Sequence, residues 1–188
     1  PVVVAFADTL FRADFTLDTE KDGIIWVQKV EDPKAYGVIK MNENNVITDF
    51  VEKPQEFVSD LAIIGIYFFK DGLKLSAELQ YLIDNNITEK GEFQLTNALE
   101  NMKQKGAEFY PGKVDEWLDC GNPIAAVHAN KRVLEYTAND EARKALNIEN
   151  TQILEPCFIG TNVQLKNCTI GPYVSIGNDT CIINSKIK

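Results

Sequence analysis

The sequence predicts an α/β domain followed by a parallel β-helix, and two patterns carry that prediction. Up to about residue 136, apolar β-branched runs alternate with segments whose leucines fall at helical spacing, as helices packed on a sheet require. From Thr151 onward one aliphatic residue recurs every six positions, at Ile153, Ile159, Leu165, Ile170, Ile176 and Ile182, with one five-residue step before Ile170. The composition fits a globular chain: of 188 residues, 45% are apolar and 25% charged.

Residues 1–8 form an apolar run ending in Asp8, the pattern of a central parallel strand buried on both faces. A buried strand makes a poor beginning, and the end falls inside the six-residue repeat, so the sequence reads as a piece of a longer chain. After a polar connection, residues 23–30 predict a strand that Asp32-Pro33 ends. Residues 36–41 and 46–51 flank the turn-forming run Asn42-Glu43-Asn44-Asn45 and read as a hairpin. Residues 61–69 predict a buried strand. Leu75, Leu79 and Leu82 place a helix over 72–86, ended by Asn85-Asn86. A second helix covers 93–105, a strand 107–114, and a third helix 122–136, with Asn122 as its cap and Pro123 in its first turn. In the repeat, the aliphatic residue points inward, and small or β-branched residues recur four positions later at Cys157, Val163, Thr169, Val174 and Thr180. Two coils are too few to be stable alone, and their uncovered end points to a homo-oligomer.

Charge and spacing exclude several functions. A net charge of −9 disfavours nucleic acid as a partner. No apolar run reaches the length of a membrane span, and residues 1–20 lack a signal-peptide pattern, which places the expected work in the cytoplasm. Cys120, Cys157, Cys168 and Cys181 lack zinc-ligand spacing and read as buried thiols, and His128 as packing or surface. Trp26 and Trp117 read as core.

Two carboxylates stand where an α/β sheet gathers its ligands, Asp8 after the first strand and Asp119 between a strand and a helix N-terminus. Together they could hold one Mg²⁺ with positions left for water and phosphate; separately, each could simply hold a turn. Lys53, between Glu52 and Pro54, is pushed by the proline toward an extended exit, a point charge suited to a phosphate monoester or merely a solvated partner of Glu52. Gly37 opens a strand, where it either lets a ligand approach the backbone or marks a bulge.

In order, Phe6-Ala7-Asp8, Tyr36-Gly37-Val38, Phe50-Val51-Glu52-Lys53-Pro54, Gly65-Ile66-Tyr67, Glu92-Phe93-Gln94-Leu95-Thr96 and Trp117-Leu118-Asp119-Cys120-Gly121 resemble the sugar-1-phosphate nucleotidylyltransferases over residues 1–135. The resemblance implies an incomplete Rossmann-like nucleotidyltransferase domain with a mixed sheet over 1–138. A linker helix over 139–150 and a short left-handed parallel β-helix over 151–188 would follow. It implies a Mg²⁺-dependent reaction between a hexose 1-phosphate and a nucleoside triphosphate. Asp8 and Asp119 would hold the metal, Lys53 the sugar phosphate, Glu52 and the Gly37 backbone the sugar hydroxyls, and Tyr67 would wall the pocket. The family's GxGxRL nucleotide loop does not occur in this sequence, so the chain alone is expected to be inactive, and Ala7 stands where the family usually has glycine. A non-catalytic nucleotide-sugar sensor and a hexapeptide-repeat acyltransferase are the competing readings.

Overall fold

The computed structural model describes residues 1–14, 16–89, 91–137 and 147–188. They form two compact units, Pro1–Trp117 and Leu118–Lys188.

The first unit is built on a mixed sheet. Its strands are β1 (Val2–Ala5), β3 (Gly23–Lys29), β4 (Gly37–Met41), β5 (Ile47–Glu52), β6 (Leu61–Phe69) and β7 (Phe109–Lys113). The order is β5-β4-β6-β3-β7, with β1 also pairing β6. The pairs are antiparallel except β3 with β7. A further short strand, β2 (Thr9–Arg12), occupies what the sequence reads as polar connection. Two helices, α1 (Gly72–Asp84) and α2 (Leu95–Gln104), pack on one face. Leu75, Leu99 and Met102 meet Ile25, Val27, Ile39, Phe50, Phe69 and Phe109 there. The alternate residues Ile24, Trp26, Ile64, Ile66 and Phe68 fill the other face, with Trp117 packed against them. Each such buried side chain contributes about 2 kcal/mol.

Local chemistry explains the element ends. Asn42 Oδ1 accepts from the amides of Asn44 (2.9 Å) and Val46 (3.0 Å), and Asn45 takes a left-handed φ of 57°, which closes the β4–β5 hairpin. Asp71 caps α1 by accepting from the amides of Leu73 and Lys74. At the other end of α1, Asn86 adopts φ 51°.

The first strand departs from expectation. Val2–Ala5 pairs antiparallel with Phe69–Ile66, and burial alternates along it, with Val3 57% exposed. Asp8 therefore follows a half-open antiparallel strand, and it is exposed. An apolar run does not distinguish a strand covered on both faces from one covered on one, and partner direction is set by the neighbouring strands.

The second unit contains α3 (Pro123–Tyr136) and three parallel ladders. These join β9 (Asn147–Glu149), β12 (Gln164–Lys166) and β15 (Cys181–Ile183); β10 (Gln152–Ile153), β13 (Thr169–Ile170) and β16 (Lys186–Ile187); and β11 (Cys157–Ile159) with β14 (Val174–Ile176). Paired residues lie 17 apart, as in the bonds from Asn150 Nδ2 to Asn167 Oδ1 (2.9 Å) and from Asn167 Nδ2 to Asn184 Oδ1 (3.0 Å). The five-residue step is thus part of the repeat: two sixes and a five make the offset, and Ile187 joins the same core five positions after Ile182. That step also shifts the inward position from Thr169 to Cys168, which is 5% exposed.

Cys157 and Cys168 are buried as expected, whereas Cys181 is exposed and Cys120 half-buried; all four are free thiols. Asn122 caps α3 through Ala125 N, as its sequence predicts. Asn130 Nδ2 then donates to the Tyr173 carbonyl (3.1 Å), joining α3 to the ladders within this unit. Of the linker helix expected over 139–150, residues 139–146 lie outside the described residues and Asn147–Glu149 is strand. Among the described residues, no helix is long and apolar enough to cross a membrane.

Candidate functional site

Four of the expected site residues converge in the first unit. Gly37 and Glu52 are register partners across β4 and β5, so the strand that brings the glycine also brings the carboxylate. A Cβ at Gly37 would lie 2.9 Å from Glu52 Oε2 and 3.1 Å from Thr96 Cγ2, so only glycine lets β4 pass this close. The Glu52 side chain is 12% exposed. Its Oε2 accepts from Thr96 Oγ1 at 3.1 Å, a bond spanning 44 residues of sequence.

Lys53 follows directly and corrects the sequence expectation. Its φ is +40°, not extended. Its amide donates to the Tyr36 carbonyl at 3.1 Å, which holds the turn although Pro54 would favour an extended residue here. Lys53 Nζ stands 3.9 Å from Glu52 Oε1 with 40% of the side chain exposed, a loose pair leaving the ammonium available.

Tyr67 completes this group from β6. Burial first, and the Glu52 carboxylate second, push its phenol up from the ordinary value of 10.0, so it is a neutral hydroxyl at working pH. The folded state holds this proton more tightly than the unfolded one. The associated stability is complete below pH 10 and is lost as the pH rises above that value. Tyr67→Phe is therefore expected to flatten the alkaline fall in stability, and ultraviolet titration of the folded protein is expected to lose no early-ionising tyrosine in this variant.

The turn bearing Asp8 rests on a bulge in β6. Ile25 pairs with Tyr67 but Val27 with Ile63, so β6 carries two extra residues around Gly65, whose φ is +79°. The Gly65 carbonyl accepts from Phe6 N (2.9 Å), Thr9 Oγ1 donates to the Ile64 carbonyl (2.8 Å), and the Phe6 ring lies 5.6 Å from that of Tyr67. The bulge thereby holds the Asp8 turn beside Tyr67.

Asp119 ends β8 (Glu116–Asp119), and its Oδ1 accepts from Gly121 N at 2.8 Å, holding the turn into α3. It belongs to the second unit and Asp8 to the first. No cluster of three or more potential metal ligands occurs among the described residues. As donors, two carboxylates match the hard-oxygen preference of Mg²⁺.

Sequence reading missed the role of Thr96. It is 6% exposed; it closes the Glu92–Thr96 motif, but nothing local in the sequence reports its bond to Glu52. Thr96→Val would put a methyl against the carboxylate. Losing a hydrogen bond to a charged group is expected to destabilise the first unit by about 2 kcal/mol in a denaturant titration, and Thr96→Ser would restore most of it. Trp117, read as core, packs against one sheet face and meets the Tyr36 ring edge-on at 5.3 Å.

The profile of the nucleotidyl transferase family matches residues 5–136. The chain belongs to this family. The relatives it matches include sugar-1-phosphate nucleotidylyltransferases. Glucose-1-phosphate thymidylyltransferase of Streptomyces antibioticus is 26% identical over 87% of this chain and 49% of its own length. The bifunctional sugar-1-phosphate nucleotidylyltransferase/acetyltransferase of Sulfurisphaera tokodaii is 34% identical over 62% of this chain and 28% of its own length. The crystal structure of a nucleoside-diphosphate-sugar pyrophosphorylase from Vibrio cholerae RC9 shares the fold, with a TM-score of 0.58 at 21% identity, covering 67% of this chain and 54% of that one. The chain spans about half the length of the first two curated relatives, 49% and 50%. This nucleotidyltransferase chain carries Gly37, Glu52, Tyr67 and Thr96 on β4, β5, β6 and α2, with Lys53 directly after β5.

Proposed function

We propose that this chain is the sugar-phosphate-binding portion of a sugar-1-phosphate nucleotidylyltransferase. In the reaction, a phosphate oxygen of a hexose 1-phosphate attacks the α-phosphorus of a nucleoside triphosphate, the bond to the β-phosphate breaks, and pyrophosphate leaves. The observation that carries the reading is the fixed Glu52 carboxylate, held by Thr96 over Gly37 with the Lys53 ammonium beside it.

Each side chain has a task in this reading. Glu52 accepts hydrogen bonds from sugar hydroxyls, and the Gly37 backbone beside it meets them too. Lys53 neutralises the sugar phosphate and orients the attacking oxygen, because phosphoryl transfer depends chiefly on position and charge. Tyr67, neutral and buried, forms a wall. By the family resemblance, Asp8 and Asp119 are each a Mg²⁺ ligand. Bound there, the metal would neutralise phosphate charge that develops in transfer. We read residues 1–138 as the catalytic-domain portion and 151–188 as a left-handed β-helix, whose ladders also take in Asn147–Glu149 from the segment expected as linker.

The test is pyrophosphate release by the whole protein, given Mg²⁺, a nucleoside triphosphate and a panel of hexose 1-phosphates. Release that requires both substrates supports the proposal, and no release with any common base and hexose overturns it. Because the sequence holds no GxGxRL loop, the 188-residue chain is expected to bind hexose 1-phosphate without turnover.

A further inference from the structure

Helix α1 does not bury its most apolar side. At 3.6 residues per turn, Leu75, Leu79, Leu82 and Ile83 share one face, the i, i+4, i+7, i+8 pattern that packs a helix on a sheet. The observed helix instead buries Leu75, Glu78 and Leu82, while Ile83 is 55% exposed and Leu79 only partly buried. The two faces are centred about 50° apart around the helix axis. A carboxylate thus occupies the buried side of a helix that has an isoleucine to offer in its place.

The Glu78 side chain is 9% exposed, and its partner comes from another element: Oε1 pairs with Nζ of Lys105. Oε2 is buried and accepts no hydrogen bond. A buried ion pair with one oxygen unsatisfied stabilises less than apolar side chains of the same volume, so stability does not explain it. Position does. Lys105 is the C-cap of α2; its amide donates to the Asn101 carbonyl at 3.1 Å and Gly106 follows at φ +95°, which fixes the backbone from which the ammonium reaches Glu78. The same Nζ lies 5.4 Å from the centre of the Tyr81 ring, three residues along α1. There is also room for the alternative. A cavity of about 610 Å³ lies on the side of α1 that carries Lys74, Ala77 and Glu78. A turn of the helix that brings Ile83 inward carries Glu78 toward this cavity, beside the Lys74 side chain, which is 74% exposed.

We infer that the Glu78–Lys105 pair is a rotational lock, holding α1 about 50° from its most apolar packing, and that breaking it lets the helix turn to bury Ile83 and release Glu78 to water. The inference does not rest on the proposed reaction. A buried polar pair used in this way selects one arrangement at a cost in stability. The lock is reachable from outside through its cation, because the Lys105 side chain is 63% exposed.

The readout is the solvent exposure of single methyl groups in the whole protein, measured with isoleucine and leucine methyl labels and a soluble paramagnetic agent. In the wild type the agent is expected to relax Ile83 strongly. It should do the same to Leu73, which is 84% exposed and lies on the opposite side of the helix from Leu82. Lys105→Met removes the cation, and is expected to protect the Ile83 methyl several-fold while leaving Leu73 unchanged. Lys105→Arg keeps a cation and should keep the wild-type pattern. Glu78→Leu makes both faces apolar. It is expected to need at least as much denaturant as the wild type to unfold, but to show two sets of Ile83 signals or one set of intermediate exposure. The inference is overturned if Ile83 stays as exposed in Lys105→Met as in the wild type, or is equally protected in Lys105→Arg. It is overturned too if Glu78→Leu unfolds more readily, or keeps one set of signals with wild-type exposure. Failure of Lys105→Met to fold counts against it as well, because a helix free to turn gives Glu78 a way out.

Discussion

Gly65→Val is expected to destabilise the first unit by about 3 kcal/mol, the sum of roughly equal backbone and packing penalties. At φ +79° a β-branched residue is a steric outlier, and its Cβ would meet Phe6 Cδ2 at 2.9 Å, Thr9 Oγ1 at 3.0 Å and Phe6 Cβ at 3.1 Å. Those atoms belong to the turn that carries Asp8, so relief of the clash must displace that turn or flatten the bulge. Flattening is resisted because Ile63 and Tyr67 are register partners of Val27 and Ile25 on either side. For a chain of this size the change corresponds to about 10 °C in Tm. Hydrogen exchange at the Phe6 amide, bonded to the Gly65 carbonyl, is expected to accelerate before that of the β3–β6 ladder. Gly65→Ala should fall between the wild type and valine. A valine variant within 0.5 kcal/mol of wild type would show that the bulge is not the fixed platform described above.

This bulge also marks the limit of what the sequence discloses. Residues 61–69 read as a strand, and the observed strand is Leu61–Phe69, because nine nearly unbroken apolar residues leave little alternative. The same logic misreads Val2–Ala5, where an equally apolar run is covered on one face only and pairs antiparallel. Helix ends were legible wherever a side chain closes them, as at Asn122, and less so at α2, whose cap residue Gln94 makes no side-chain bond. In the repeat, the aliphatic spacing located the inward positions. What it obscured was that the five-residue step recurs, because a periodicity of six treats it as a defect, whereas stacking at 17 residues requires it.

The candidate site divides in the same way. Gly37, Glu52, Lys53 and Tyr67 were legible as motif positions, and strand register accounts for the meeting of the first two. Thr96 was legible as a motif position but its partner was not, since its bond to Glu52 spans 44 residues and no local pattern reports it. The backbone of Lys53 was misjudged because the proline preference is local, while the Tyr36 carbonyl that overrides it comes from another strand's start. Local rules predict what neighbours along the chain decide, and here the decisive neighbours come from elsewhere in the sheet.

Lys53→Ala should reduce kcat/KM for the sugar phosphate in the whole protein by about two to three orders of magnitude, the usual loss when a charge positioned on a reacting phosphate is removed. The ammonium is 3.9 Å from Glu52 Oε1 and partly exposed, so little folding energy depends on it and stability should change by less than about 1 kcal/mol. The left-handed backbone complicates a simple alanine result, since φ +40° strains alanine as it does lysine. Lys53→Gly separates the two effects. It removes the same charge while relieving the backbone, and should be as inactive as alanine but more stable by about 1 kcal/mol. Lys53→Arg keeps a positive charge but replaces a compact point charge with a planar fork on a longer stem, and should recover only part of the rate. If glycine and alanine both retain turnover within about threefold of wild type, Lys53 does not hold the sugar phosphate. The loose Glu52–Lys53 pair would then be a solvated contact beside a turn, and the sugar pocket would have to be sought around another cation.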